Sequence, residues 1–219
     1  MPKDSLITLT QPDSAAAEAF RVLRTNLIFS SIEKPIHTLL VTSASAADNK
    51  SIALANLAVT FAQSGHKTIV VDSDLRRPSQ HTIWDADNTR GLTTMMTEPA
   101  QLAAPPLVET GVENLLLLPS GPLPQVPADL LTSQRMSEIV GVLKARADYV
   151  LFDSPPVLAA SDAGLLGVKL DGLLLVVQAG STRRDHVQRA RQTLERLHVR
   201  LVGSVLTNAP RESAATTYR

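Results

Sequence analysis

Cysteine is absent from the 219 residues, which excludes disulfide bonds and thiolate metal sites. The first residues lack the apolar core of a signal peptide, and no apolar run approaches the roughly 20 residues that span a bilayer. Net charge is also absent, because 21 basic residues balance 21 acidic ones, and this argues against a general binder of nucleic acid. We therefore expect a globular cytoplasmic protein that does not insert directly into a membrane.

Short apolar runs alternate with helical patterns along the chain. The strand candidates show no clean alternation of polar and apolar residues, as expected for strands covered on both faces. We predict strands at Leu39–Ser43, Thr68–Asp72, Asn114–Pro119, Tyr149–Asp153, Gly172–Gln178 and Arg200–Thr207, and helices at Ser14–Phe29, Ser51–Ser64, Ala128–Ala145 and Thr182–His198. This order predicts an α/β fold with a doubly wound, mostly parallel sheet, whose ligands bind where the strands end.

The first candidate site follows the first strand. Residues 42–51 read TSASAADNKS and lead into an apolar helix, in the place where a P-loop reads G-x-x-x-x-G-K-[ST]. Lys50 and Ser51 occupy the last two places and would contact phosphate and Mg²⁺, while Ala44 and Asn49 replace the glycines. An ordinary turn with one exposed lysine is the alternative. If the loop is a P-loop, we expect Ala47, Asp48, Asn49, Lys50, Ser51 and Ile52 to bind the nucleotide.

Acidic residues end two other predicted strands. Asp72 and Asp74 follow one strand, and Asp153 ends the strand YVLFD. Carboxylates at neighbouring strand ends can bind Mg²⁺ or accept a proton from a hydroxyl. The alternatives are a solvated acidic loop for the first pair and a turn-capping aspartate for Asp153.

Taken together, these segments resemble the bacterial tyrosine kinases (BY-kinases) of capsule and exopolysaccharide assembly. The resemblance covers almost the whole chain and rests on EAFRVLR, VVDSDLRRPS, LPSGPLPQVPADLLTSQRM, YVLFDSPPVLAASDA and VVQAGSTRRDHVQRA. The related partitioning and division ATPases carry a signature lysine early in the loop, where this chain has Ser45. A P-loop NTPase fold of the kinase type is therefore implied for residues 1–219, with a self-association segment at 1–34, a nucleotide-binding core at 35–209 and a tail at 210–219.

The resemblance also implies roles for individual residues. It implies that Lys50 contacts phosphate, that Ser51, Asp74 and Asp153 bind Mg²⁺, and that Asp72 and Asp74 activate the tyrosine hydroxyl. Asn208, after the last strand, is expected near the adenine of ATP. Glu18, Arg21 and Arg24 match the self-association motif of the family, which implies a ring-like homo-oligomer; intrahelical pairing is the alternative. A separate transmembrane activator or co-polymerase is the expected partner, and it would hold the chain at the inner face of the membrane.

The chain departs from the family pattern in its loop and in its tail. The usual loop S-x-x-P-G-E-G-K-S is replaced by SASAADNKS, in which Asn49 is the mildest substitute for a glycine with positive φ. Strain at both Ala47 and Asn49 would cost about 2–4 kcal/mol, which would weaken nucleotide binding without abolishing it. Tyr218 is the one plausible phosphoacceptor, because Tyr149 is expected in a buried strand. A tyrosine kinase is the leading hypothesis. The alternatives are a catalytically weak or silent relative, which acts as a nucleotide-sensing or structural partner of a membrane co-polymerase, and a partitioning-type ATPase.

Overall fold

The computed structural model describes residues 5–29, 33–46 and 48–209. Ala47 and Tyr218 lie outside the described residues, so their predicted roles stay predictions. The elements in chain order are α1 Ile7–Thr10, α2 Ala15–Phe29, β1 Thr38–Ser43, α3 Lys50–Gln63, β2 Thr68–Asp72, α4 Gln80–Trp84, α5 Leu92–Thr97, α6 Ala100–Ala103, β3 Val108–Glu109, β4 Leu115–Leu118, α7 Pro127–Thr132, α8 Gln134–Lys144, β5 Tyr149–Asp153, α9 Asp162–Gly167, β6 Gly172–Gln178, α10 Arg184–Arg196 and β7 Leu201–Thr207.

These strands form one sheet in the order β3-β4-β2-β5-β1-β6-β7. All neighbouring pairs are parallel except β3 and β4, which confirms the predicted mostly parallel, doubly wound sheet. The register places Asp72 at the end of β2 opposite Asp153 at the end of β5. Because β1 pairs with the other side of β5, the loop after β1 meets both acidic residues at one edge of the sheet.

Helices cover both faces of the sheet. One face carries α3 together with α1, α2 and α4, and their apolar residues form a core around Leu54, Leu57 and Phe61. The other face carries α5 and α7–α10 and forms a second core. The predicted apolar character of α3 is confirmed, because most of its residues are buried. None of the helices in residues 5–29, 33–46 and 48–209 is both long and apolar enough to cross a bilayer.

Two predictions on local structure were wrong. The helix predicted at Ala128–Ala145 is two helices, because Ser133 interrupts it and its Oγ accepts a hydrogen bond from Met136 N (3.2 Å) to begin α8. Tyr149 is only half-buried, since it is the first residue of β5, and its ring packs against Phe61 and His66 with centroid separations of 4.3 and 5.2 Å. The short elements α1, α4, α5, α6, α9 and β3 were not predicted, because segments of two to six residues carry no readable period.

Candidate active site

The loop between β1 and α3 has the backbone shape that its sequence predicts at Asn49. This residue adopts φ 51° and ψ 33°, which is the left-handed conformation that glycine adopts most readily. Asn49 Nδ2 donates a hydrogen bond to Gln178 Oε1 at 3.2 Å. Helix α3 begins at the next residue and has 14 residues, so its N-terminus and its dipole face the edge of the sheet where the acidic residues lie.

Lys50 is the centre of the site. Its Nζ lies 3.0 Å from Asp74 Oδ2 and 3.0 Å from Asp153 Oδ1, and 3.3 Å from Ser51 Oγ. Burial alone would lower the pKa of Lys50, but the two carboxylates outweigh burial and raise this pKa above its usual range. Only 9% of Lys50 is exposed, so the alternative of an ordinary turn with an exposed lysine is wrong.

Asp72 is the third acidic residue at this edge of the sheet and is completely buried. Its Oδ2 accepts hydrogen bonds from Ser79 N (2.9 Å) and Gln80 N (2.8 Å), while its Oδ1 has no hydrogen-bond partner among the described residues. Burial, helped by the charge of Asp153, raises the pKa of Asp72 to about 8. The alternative of a solvated acidic loop is therefore wrong. Since Asp72 has no exposed surface here, its role as the base stays a prediction.

Gln80 is a residue of this site that the sequence did not reveal. Its Nε2 donates to Asp153 Oδ2 (2.9 Å) and to Ser51 O (3.1 Å), and its Oε1 accepts from Trp84 Nε1 (3.1 Å). Gln80 thus links the carboxylate at the end of β5 to the start of α3. No sequence motif contains Gln80. It could have been found only by reasoning that a buried Asp72 needs backbone N–H donors, which the start of α4 provides.

Comparisons with known proteins point to one family. No family model matches the chain. It is 37% identical over 202 residues to the tyrosine-protein kinase YwqD of Bacillus subtilis, covering 92% of this chain and 85% of YwqD. The chain belongs to the bacterial tyrosine-protein kinases.

Two solved structures are similar to the kinase over most of its length. The chimerical protein CapA2B2 has a TM-score of 0.90 and 33% identity, covering 95% of this chain and 91% of the other. The kinase domain of Escherichia coli tyrosine kinase ETK has a TM-score of 0.89 and 30% identity, covering 98% and 84%. The leading hypothesis of a tyrosine kinase with a P-loop NTPase fold is confirmed, and neither alternative function is favoured. Nucleotide use follows from the relatives, since kinases transfer phosphate from nucleotides.

A cavity of about 300 Å³ adjoins the P-loop of the kinase on the side of α2 and β7. Its lining includes Phe20, Asn49, Ile52, Thr207 and Asn208. Asn208 has a positive φ of 53° and is exposed at the end of β7, so the structure brings it to the same cavity as two of the predicted P-loop residues. This placement is compatible with the predicted contact to adenine, which stays a prediction.

The three residues of the predicted self-association motif lie on α2, and their side chains make contacts within the kinase. Arg21 Nε pairs with Glu18 Oε2 at 2.6 Å, and Arg21 Nη2 donates to Pro12 O at 2.8 Å. Arg24 Nη1 donates to Thr60 O of α3 at 2.8 Å. The exposed Glu18–Arg21 pair contributes only tenths of a kcal/mol. The role of the motif between subunits stays a prediction.

Proposed function

We propose that this kinase transfers the γ-phosphoryl group of ATP to tyrosine, on itself or on a second copy, in the regulation of capsule or exopolysaccharide synthesis and export. One observation carries the proposal: the P-loop lysine is buried at the start of α3 between Asp74, two residues after β2, and Asp153, which ends β5. This arrangement supports phosphoryl transfer, because positive charge and metal-binding carboxylates lie together where phosphates bind.

The residues present fit Mg²⁺. The donor set consists of the Ser51 hydroxyl and the carboxylates of Asp74 and Asp153, which are the hard oxygen ligands that Mg²⁺ prefers. Asp72 Oδ1 adds a buried oxygen without a hydrogen-bond partner among the described residues. No ready-made cluster of three acidic or histidine side chains exists within the described ranges, and Lys50 Nζ lies between two of the carboxylates. Asp74 and Asp153 would therefore hold Mg²⁺ when Lys50 contacts phosphate instead of these two carboxylates.

Each residue of the site has a separate role in the proposed reaction. We infer that Lys50 neutralises the β- and γ-phosphates, and that the backbone N–H groups of Asp48, Asn49 and Ser51, with those of the α3 N-terminus, bind phosphate oxygens. Ser51, Asp74 and Asp153 would hold Mg²⁺, which supplies charge stabilisation to the transferred group. Asp72 or Asp74 would accept the proton of the tyrosine hydroxyl. Asp74 is the more accessible of the two, with 4% exposure against none.

The proposed partners follow from the relatives. We propose a ring-like homo-oligomer, assembled through Glu18, Arg21 and Arg24, and a separate membrane co-polymerase that activates the kinase at the cytoplasmic face of the membrane. CapA2B2 is a chimera of two proteins, and the ETK structure is the kinase domain of a tyrosine kinase, which supports a kinase unit that works joined to another part. The zero net charge supports recruitment by a partner rather than by lipid or nucleic acid.

Phosphate transfer from labelled ATP to tyrosine tests the proposal. We expect phosphotyrosine on the natural chain when the cytosolic segment of its activator is present, and none on Lys50→Met or Asp153→Asn. Tyr218→Phe is the matched acceptor variant, because it removes only the hydroxyl of the predicted acceptor; it should abolish self-labelling while transfer to a tyrosine peptide continues. Absence of phosphotyrosine on the natural chain, in conditions where it binds nucleotide, would refute the proposed function.

A further inference from the structure

The carboxylate of Asp48 is buried in the P-loop, where Ser45 and Thr182 donate hydrogen bonds to it. It has no exposed surface, and no lysine, arginine or histidine side chain within the described residues pairs with it. A carboxylate inside an anion-binding loop opposes phosphate binding, and a buried charge is costly unless it is hydrogen-bonded. Its presence therefore calls for a different role from direct contact with the nucleotide.

Hydrogen bonds from two parts of the chain satisfy this carboxylate. Within the loop, Ser45 N donates to Asp48 Oδ2 at 3.0 Å, and Ser45 Oγ lies 3.3 Å from both carboxylate oxygens. From a turn 134 residues later in the chain, the Thr182 hydroxyl donates to Asp48 Oδ1. Asp48 thus closes the loop on itself and also joins it to the segment that follows β6.

The turn that carries Thr182 is itself well defined. Gln178 N donates to Thr182 Oγ1 at 2.9 Å, which leaves the hydroxyl hydrogen free to point at Asp48, and Thr182 N donates back to Gln178 O at 3.0 Å. Gly180 supplies the positive φ of 74° that this tight turn requires. The turn is therefore a rigid support at the end of β6, the strand that pairs with β1.

We propose that Ser45, Asp48 and Thr182 form a clamp that holds the glycine-poor P-loop in its phosphate-binding shape. In this reading Asp48 and Thr182 are positioning residues, which act on the nucleotide through the loop backbone and rest on the proposed function of the site. The exposed contact between Asn49 and Gln178 joins the same two segments and adds little, since exposed hydrogen bonds are weak. Loops rich in glycine need no such support when the phosphate itself orders them.

Titration calorimetry with Mg²⁺-ADP on purified full-length variants tests the clamp. Thr182→Val keeps the shape of the side chain and removes the hydroxyl, and Asp48→Ala removes the carboxylate. We expect each to weaken Mg²⁺-ADP binding about tenfold, which corresponds to about 1.4 kcal/mol. The double variant should bind as weakly as Asp48→Ala alone, because the contact that Thr182→Val removes is already lost in Asp48→Ala. Ser181→Ala is the matched control on the same turn and should change the affinity less than twofold.

Asp48→Asn separates positioning from a general loss of structure. An asparagine can still accept from Ser45 N and donate to Thr182 Oγ1, so it should recover most of the affinity that alanine loses, while circular dichroism stays native for all variants. Affinities within twofold of the natural chain for Asp48→Ala and Thr182→Val, or fully additive losses in the double variant, would overturn the clamp. Because the readout is nucleotide binding, a failure to phosphorylate tyrosine would refute the proposed function and leave this test intact.

Discussion

Asn49 has the left-handed conformation, with φ 51°. Left-handed backbone costs a residue with a side chain about 1–2 kcal/mol, and somewhat less for asparagine. We predict that the loop holds this shape without nucleotide, so that the cost falls on folding and not on nucleotide affinity. The sequence alone suggested the opposite, namely that the missing glycine would weaken binding.

The pair Asn49→Gly and Asn49→Ala isolates this strain. Both variants lose the same hydrogen bond to Gln178, so their difference reports the backbone at this position. Glycine removes the strain of about 1–2 kcal/mol but is more flexible in the unfolded chain by about 0.5–1 kcal/mol, which leaves a gap of about 1 kcal/mol in the free energy of unfolding. For a chain of this size that gap corresponds to a Tm about 2–4 °C higher for the glycine variant.

Calorimetric melting and Mg²⁺-ADP titration of the same two proteins give the answer. We expect the Tm values to differ as stated and the dissociation constants to agree within threefold. If strain arose only on binding, about 1 kcal/mol would instead appear as a roughly fivefold tighter Kd for the glycine variant. Equal Tm values together with such a difference in Kd would refute the reasoning, because the free loop would then not be left-handed at Asn49.

Three further predictions concern charged groups of the described residues. Lys50→Met should destabilise the protein by about 3–5 kcal/mol by leaving Asp74 and Asp153 buried without their cation, and millimolar Mg²⁺ should raise the Tm of this variant but not of the natural chain; equal responses would contradict the ion pairs. The stability of Asp72→Asn relative to the natural chain should rise by roughly 2–5 kcal/mol between pH 4 and pH 8, measured by urea unfolding without Mg²⁺. The pKa of Asp72 is raised from 3.8 to about 8, so the stability that this carboxyl contributes is lost as the pH rises through the folded pKa. A difference independent of pH would contradict the raised pKa. Asp171→Asn should lower the free energy of unfolding by about 1–3 kcal/mol at pH 7, and this loss should shrink below pH 3.8. The reason is that hydrogen bonds outweigh partial burial and lower the pKa of the Asp171 carboxyl. Urea unfolding at pH 7 and pH 3.5 checks this, and an equal loss at both pH values would contradict it.

The sequence predicted the strands that carry the site, since they are buried apolar runs that end in aspartate. The bounds of β2, β5 and β6 agree with the prediction residue for residue. What the sequence could not supply was the pairing of side chains across the sheet. From the sequence alone, Asp72 could equally be a site residue or a solvated acid in a loop. Only the strand register, which places it opposite Asp153, shows that it is buried.

Gln80 and Thr182 were not predicted as site residues, for the same reason. Each lies in a loop or a short helix, where polar residues are common and no spacing rule applies. Gln80 acts through its contact with Asp153 Oδ2 at 2.9 Å, 73 residues away, and Thr182 acts through Asp48. Sequence spacing reveals neighbours along a helix or a strand, whereas these contacts depend on which strand ends lie side by side.

The polar contacts of Lys50 and Asp48 explain how a P-loop can lack its glycines and keep its shape. In a glycine-rich loop, the backbone is free to fold around phosphate, and the phosphate contributes much of the order. In this chain the carboxylates of Asp74 and Asp153 hold Lys50 at the start of α3, and Thr182 holds Asp48, so the loop has partners on both sides within the protein itself. Preorganisation of this kind reduces the ordering cost of binding, but it adds the cost of separating Lys50 from two carboxylates. We expect the balance of these two terms, rather than the count of glycines, to set the affinity of this kinase for its nucleotide.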